Sequence, residues 1–284
     1  MASRVQRLDA ELTRRGLARS REHAVALINA GRVEVRGVVA RKPATGVAAD
    51  VPLRVIDDSN DPDYASRGGF KLAGALATFG DIVVGGRRCL DAGASTGGFT
   101  DVLLRSGARQ VVAVDVGYGQ LAWKLRSDER VVVHDRTNVR SLTPDAIGGP
   151  AELTVADLSF ISLRLVLPAL TACTDPAGDL LPMVKPQFEV GRERLGSGGV
   201  VRDPALRADA VLVVTATAAE LGWRTAGVCA SPLPGPSGNV EFFVWLRREP
   251  RVVCSEQQIR AIVEGASESG TEPGTEPGTE VGQR

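Results

Sequence analysis

The sequence predicts an α/β protein in which an open, mostly parallel sheet of seven strands carries helices on both faces, after a small α+β domain. Three observations predict it. From about Cys89 onward, short apolar runs (Arg88–Ala92, Gln110–Val116, Val131–His134, Leu153–Leu158 and Leu180–Lys185) alternate with helical segments, the pattern of βαβ units and a parallel sheet. Two later runs, Thr225–Ala230 and Val240–Leu246, flank Ser231–Gly238, a loop too rich in proline and glycine to be helix, so they pair as an antiparallel edge hairpin. Before all of these stands Asp57–Asp63, a polar, acidic, proline-containing stretch that reads as a linker.

The first segment is justified element by element. Arg7 to Gly16 has helical spacing, with Leu8 and Leu12 on one face and glycine as the stop. Ser20 is an N-cap for a second helix, whose Ala24, Leu27 and Ile28 form an apolar stripe before Gly31. Arg32–Arg36 alternates polar and apolar residues as a strand does, Gly37 turns the chain, and Lys42-Pro43 begins an extended piece running to Val55. With 284 residues, two domains are expected: residues 1–60, a linker at 61–65, and 66–250. Residues 251–284 form an extension. From about Ala266 its Gly-Thr-Glu-Pro repeats have no apolar period and are expected to be disordered.

Composition excludes several classes. Hydrophobic residues make up 43% of the chain and charged ones 24%, which suits a protein with a real core. The longest apolar stretches, such as 210–219, fall short of the ~20 residues of a membrane span. The four cysteines are dispersed and no leader pattern opens the chain, so a reducing cytoplasm is expected. With two histidines and no clustered ligands, no metal site is expected. Net charge is zero, yet residues 1–50 hold ten Lys/Arg against five acids, a locally basic module suited to phosphates.

The chemistry begins at Asp91. Asp91-Ala-Gly93-Ala94-Ser95-Thr96-Gly97-Gly98 runs from a strand into a glycine-rich turn, and a helix starts near Phe99, as at a cofactor site in an open α/β sheet. Ser95 stands where a dinucleotide motif wants glycine, and no Gly-Lys-Ser/Thr follows as a P-loop needs. S-adenosylmethionine carries no phosphate and fits this turn better. Asp115 ends the next strand about two dozen residues on, near the ~20 typical of ribose-binding acids in such folds. Asp135 follows the third strand, where it is either an acceptor for the adenine amino group or a solvated turn acid.

Four more charged residues gather at predicted strand ends or nearby: Asp157, Lys185, Glu241 at the start of the last strand, and Lys71 on the first helix of the domain. Two lysines and two carboxylates suit proton removal from a sugar hydroxyl. A lysine acts as a base only when neutral, which adjacent positive charge favours, and Lys71 is a candidate source of that charge. Lys185 acts either as that base or as a donor polarising the oxygen.

The stretches Asp91–Thr100, Asp115–Gln120, Ala156–Leu163, Val184–Glu189 and Pro234–Glu241 together resemble the TlyA family, also called haemolysin A. The resemblance spans residues 4–248. It implies a Rossmann-like class I methyltransferase domain that uses S-adenosylmethionine to methylate cytidine ribose hydroxyls of small- and large-subunit ribosomal RNA. It further implies a catalytic tetrad of Lys71, Asp157, Lys185 and Glu241, shared with FtsJ-like enzymes. Residues 4–60 resemble the RNA-binding module of ribosomal protein S4, with Arg7, Arg19, Arg21 and Lys42 as its RNA-facing side chains. Two rival readings are weaker. Gly93-Ala-Ser-Thr-Gly97 matches a hydrolase nucleophile elbow, but the only downstream histidine is His134, on a central strand. A membrane-active haemolysin would need a long apolar span or a long basic amphipathic helix, and the sequence supplies neither.

Overall fold

The computed structural model describes residues 5–18, 20–56 and 62–266, and its contacts divide the chain into two units, 1–63 and 64–284. In the first unit the strand β1 (Gln6–Arg7) leads into helices α1 (Leu8–Arg14) and α2 (Arg21–Asn29). The Ser20 hydroxyl accepts the His23 N–H and so caps α2, as the sequence predicts. Strands β2 (Val33–Val35) and β3 (Val38–Val39) form a hairpin whose turn residues, Arg36 and Gly37, both have positive φ. The extended piece after Lys42 proves to be two short strands. β4 (Gly46–Val47) pairs with β1, and β5 (Leu53–Val55) pairs with β2. Leu8, Leu12, Ala24, Ile28 and Val33 are fully buried at the centre of this unit.

The second unit opens with α3 (Gly68–Phe79), followed by β6 (Arg88–Ala92), α4 (Gly98–Arg105), β7 (Gln110–Val114), α5 (Trp123–Arg126) and β8 (Val131–His134). It continues with β9 (Ala151–Ala156), α6 (Leu167–Cys173), β10 (Thr174–Val184), α7 (Pro204–Glu220), β11 (Arg224–Ala230), β12 (Phe242–Arg247) and α8 (Glu256–Glu264). The seven strands lie in the order β11-β12-β10-β9-β6-β7-β8. β12 is antiparallel to both β10 and β11, and the remaining pairings are parallel. This is the predicted mostly parallel sheet, with the hairpin strand β11 at its edge.

Alternation along the strands sorts side chains between two apolar layers. Leu90, Val112, Val114, Val184 and Phe242 pack into one layer with α6, α7 and α8, while Cys89, Val111, Leu153, Met183 and Phe243 pack into the other with α3 and α4. Helix α8 lies within the stretch read from sequence as an extension. A reciprocal capping box between Ser255 and Gln258 starts it, and Ile259 and Val263 are buried in the layer that holds α7. Most of the expected linker (57–61) and the repeat tail (267–284) lie outside the described residues.

Candidate active site

Every parallel strand delivers its last residues to one edge of the sheet, and five of the predicted site residues fall there, each one residue outside its strand. Asp115 follows β7, Asp135 follows β8, Asp157 follows β9, Lys185 follows β10, and Glu241 precedes β12. The predicted strand before Asp135 ends where the structure ends it, at His134, whereas the runs read to Val116, Leu158 and Lys185, and from Val240, go one or two residues too far at these ends.

Register then brings the charges together. Val184 pairs with Phe242 in the antiparallel ladder of β10 and β12, so Lys185 and Glu241 occupy the next opposed positions. Lys185 Nζ lies 2.6 Å from Asp157 Oδ1 and donates to Ser159 Oγ at 2.9 Å. Lys71, carried in by α3, donates to Glu241 Oε2 at 2.5 Å. The pairs differ in solvent access. Glu241 and Lys71 are 1% and 8% exposed at the side chain, whereas Asp157 keeps 24%. Lys71 is therefore compensated by a carboxylate of its own, Glu241. Glu241 Oε1 is buried without a hydrogen-bond partner.

The glycine-rich turn is a cradle. Gly93 has φ +89°, and a Cβ there would sit 2.5 Å from the Asp157 carbonyl oxygen. Gly97 has φ +98°, and a Cβ there would strike the Leu125 side chain. Gly93 and Ala94 both donate to the Val114 carbonyl, Thr96 accepts from Ala122 N–H, and Gly98 opens α4. Asp115 is fixed from two sides, accepting the Ser95 N–H at 2.8 Å and the Gly117 N–H at 2.7 Å. Asp135 accepts from Arg126 at 2.9 Å, and that arginine holds its carboxyl below the ordinary range. It is thus a paired acid and not a solvated one.

Asp91 is fully buried. Oδ2 accepts from Thr100 Oγ1 at 2.7 Å, and Oδ1 has no partner. Burial pushes this carboxyl up to about 7; the Thr100 hydrogen bond opposes the rise, and the Asp157 and Asp115 charges add to it. An orphaned acceptor behind a close-approach turn suits a ligand that brings a donor or a positive charge.

Several neighbours of the site were not singled out in the sequence. Ser159 touches Lys185. Phe160 has φ +63° and is 93% exposed, and its ring lies 5.5 Å from that of Phe188, centroid to centroid. Glu189 accepts from Ser162 Oγ at 2.5 Å and from Leu163 N–H at 2.7 Å. A signal for them was present, since all follow Asp157 or Lys185 within the motif stretches, but nothing in the sequence pairs one loop with the other.

The serine-hydrolase reading finds no support in this geometry. Ser95 does have positive φ, as an elbow serine would, but no serine–histidine hydrogen bond involving Ser95 or His134 occurs among the described residues. Among those residues, no helix is long and apolar enough to cross a membrane, and no group of acids, histidines and cysteines could hold a metal ion.

In the first unit, Arg7 donates to both Asp9 oxygens, at 3.0 and 2.9 Å, and Arg21 donates to Oδ2 at 3.1 Å. Their side chains remain 52% and 61% exposed. Lys42 is exposed, and Arg19 lies outside the described residues.

Comparison with known proteins agrees with this arrangement. Residues 64–248 match the FtsJ-like methyltransferase model, and residues 6–50 match the S4 domain model. The chain is 60% identical, over 93% of its length and 99% of the relative's, to the 16S/23S rRNA (cytidine-2′-O)-methyltransferase TlyA of Mycobacterium tuberculosis. It is 44% identical to the Bacillus subtilis protein YqxC, over 95% of this chain and 96% of that one. A solved structure from Streptococcus thermophilus, described as a hemolysin, superposes with a TM-score of 0.71 at 38% identity, covering 92% of this chain and 95% of that one. This chain belongs to the FtsJ-like methyltransferase family and, within it, to the TlyA group that also carries an S4 domain.

Proposed function

We propose that this chain transfers a methyl group from S-adenosylmethionine to the 2′-hydroxyl of a cytidine ribose in ribosomal RNA of the small subunit, the large subunit or both. The observation that carries the proposal is the register at the sheet edge, which sets Lys185 opposite Glu241 and leaves two ion pairs, Lys185–Asp157 and Lys71–Glu241, side by side.

The residues fit the cofactor. The orphaned Asp91 oxygen and the turn Gly93-Ala94-Ser95-Thr96-Gly97-Gly98 form the cradle for it, and Asp115, pinned by two backbone N–H groups, retains lone pairs for ribose hydroxyls. Asp135 flanks the adenine end, and Asp157 the reacting end. S-adenosylmethionine, when bound, supplies an electrophilic methyl group on a positively charged sulfur.

The remaining work falls to the chain. A ribose hydroxyl must give up its proton as the new O–C bond forms. Lys185 Nζ, oriented by Asp157 and Ser159, meets that oxygen and stabilises the charge developing on it, and the proton passes to the Lys185–Asp157 pair. Lys71 holds Glu241 in place, so that its free oxygen can accept from a substrate hydroxyl. In the S4 domain, Arg7, Arg21 and Lys42, together with Arg19, contact phosphates; such contacts orient the RNA but read little sequence. The target nucleotide is then selected by RNA shape, which favours a whole ribosomal subunit as substrate.

The test is transfer of labelled methyl groups from S-adenosylmethionine to unmodified ribosomal subunits, mapped by a 2′-O-methyl-sensitive readout. Label at a ribose with the wild type and its loss with Lys185→Ala is the expected result. No transfer to either subunit overturns the proposal.

A further inference from the structure

The parallel pairing of β9 with β10 ends at Ala156 and Pro182, before the residues that carry the proposed chemistry. Beyond it, two loops run on, Asp157–Leu163 and Lys185–Val190, and side chains join them in sequence. Lys185 meets Asp157 and Ser159, Phe188 meets Phe160, and Glu189 meets Ser162 and Leu163. Each step outward from the sheet pairs a later residue of one loop with a later residue of the other, so the contacts close like a zipper.

Glu189 is the outermost tooth and differs from the rest. It touches neither Lys185 nor Asp157, and both of its oxygens are engaged on the opposite loop, one by a hydroxyl and one by a backbone N–H at the start of the short 3₁₀ turn Leu163–Leu165. A bidentate carboxylate of this kind sets distance and angle together. With Glu189 removed, the distal half of the Asp157–Leu163 loop loses both of these hydrogen bonds to its neighbour and keeps the Phe160–Phe188 ring contact, at a residue already held in a backbone conformation unusual for phenylalanine.

We propose that Glu189 is a positioning residue for methyl transfer: it clasps the loop after β9 to the loop after β10 and so fixes the Lys185–Asp157 pair and the Phe160–Phe188 ledge relative to the acceptor ribose. This inference rests on the methyltransferase reading above. Asp157, which lies against the glycine-rich turn, is tied at its own end by its N–H to the Ala92 carbonyl, whereas Glu189 holds the far end of the loop, so the clasp acts chiefly on the acceptor side and little on cofactor affinity.

The experiment compares wild type, Glu189→Ala, Glu189→Gln and Ser162→Ala as full-length chains. It reads single-turnover methyl transfer to unmodified ribosomal subunits, S-adenosylmethionine affinity by calorimetry, and amide exchange across residues 157–163. Glu189→Ala is expected to slow transfer by about 10- to 100-fold, the range found for groups that orient a reactive side chain, while cofactor affinity changes less than about threefold. Ser162→Ala, which loses one bond of the two, falls between. Glu189→Gln restores most of the rate, because its amide oxygen still accepts from Leu163 N–H and its NH₂ can donate to the Ser162 hydroxyl. Amide exchange at Leu163 rises in the alanine variant and not in the glutamine variant. Unchanged transfer in Glu189→Ala overturns the proposal, and so does a parallel loss of cofactor affinity that glutamine fails to restore. Should the wild type itself transfer nothing, the methyltransferase reading fails, and the clasp is decided by exchange alone: a rise confined to residues 157–163 upholds it, and no rise ends it.

Discussion

The two units of this protein handle charge in opposite ways. At the sheet edge, ionic groups are buried or nearly so and find partners far away in sequence; Lys71 and Glu241 are 170 positions apart. Along helix α1 of the N-terminal unit most of the pairs are local. Arg7 and Asp9 are two residues apart, and Arg14 and Arg15 reach Glu11 across one helical turn, with arginine side chains that stay partly exposed. A long-range buried pair holds only when the whole fold is in place and is costly to break, whereas a local pair whose arginine reaches water leaves that cation free to turn to another anion. The first arrangement fixes a reaction geometry. The second keeps arginines ordered and still available to a phosphate.

The largest expected effects come from the sheet edge, where the two lysines should separate. Lys185→Ala should lower methyl transfer by on the order of 10² to 10⁴, the usual worth of a positioned proton-transfer group, with a stability loss near 1 kcal/mol because Asp157 keeps access to water. Lys71→Met should cost activity and, in addition, about 3–5 kcal/mol of stability, since it strands a Glu241 carboxylate that is 1% exposed. Denaturant melts of the two variants test this contrast. Equal stability losses would show that the pairs are not distinguished by burial.

Gly93→Ala comes next. The residue sits at φ +89°, which costs roughly 1–3 kcal/mol for a side-chain-bearing residue, and its new Cβ would meet a backbone carbonyl that cannot swing aside. S-adenosylmethionine affinity, measured by calorimetry, should fall along with stability. In the N-terminal unit, Arg7→Ala combined with Arg21→Ala, made together with Asp9→Asn so that no buried carboxylate is stranded, should move the melting transition little. RNA affinity should fall, and the slope of log affinity against log salt should flatten by about one for each phosphate that is no longer neutralised. A destabilised protein with an unchanged salt slope would make these arginines structural.

Much of the sheet edge was legible in the sequence, for a physical reason. In a parallel sheet the ladder forces every strand to end at the same rim, so a charged residue closing an apolar run has a known destination before any contact is seen; Asp115, Asp157 and Lys185 follow this rule. What was illegible depends on side-chain partners between loops. Lys71 reads as a charge near Lys185, and only the fold shows which of the two carboxylates it takes, Glu241. Asp135 reads either as an acceptor or as a solvated turn acid, and its pairing with Arg126 is not visible in the sequence. The clasp of Glu189 on Ser162 joins two loops whose relative course no periodicity encodes. The ten basic residues of the first fifty read as a uniform positive field, but Asp9 and Glu11, both buried, draw four of them into ion pairs.

The smallest expected effect distinguishes the units by the sign of their response to acid. Asp91 is lifted to about 7 by burial, so between its unfolded value near 4 and about 7 the folded protein binds more protons than the unfolded chain. This group's contribution therefore falls as pH rises through that window, and Asp91→Asn should flatten the decline. Asp9 and Glu11 are held down at about 2 by their arginine hydrogen bonds. Their contribution is complete above the unfolded carboxylate range near 4 and is lost as pH falls towards 2. All three tryptophans, Trp123, Trp223 and Trp245, lie in the second unit, so tryptophan fluorescence follows that unit alone, while amide exchange in α1 and α2 follows the first. Mild acidification from pH 7 should leave the fluorescence transition as stable or more so, with α1 protection holding until the pH nears 4. If α1 loosens first between pH 7 and 5, the local pairs are not what orders the arginine-bearing helix.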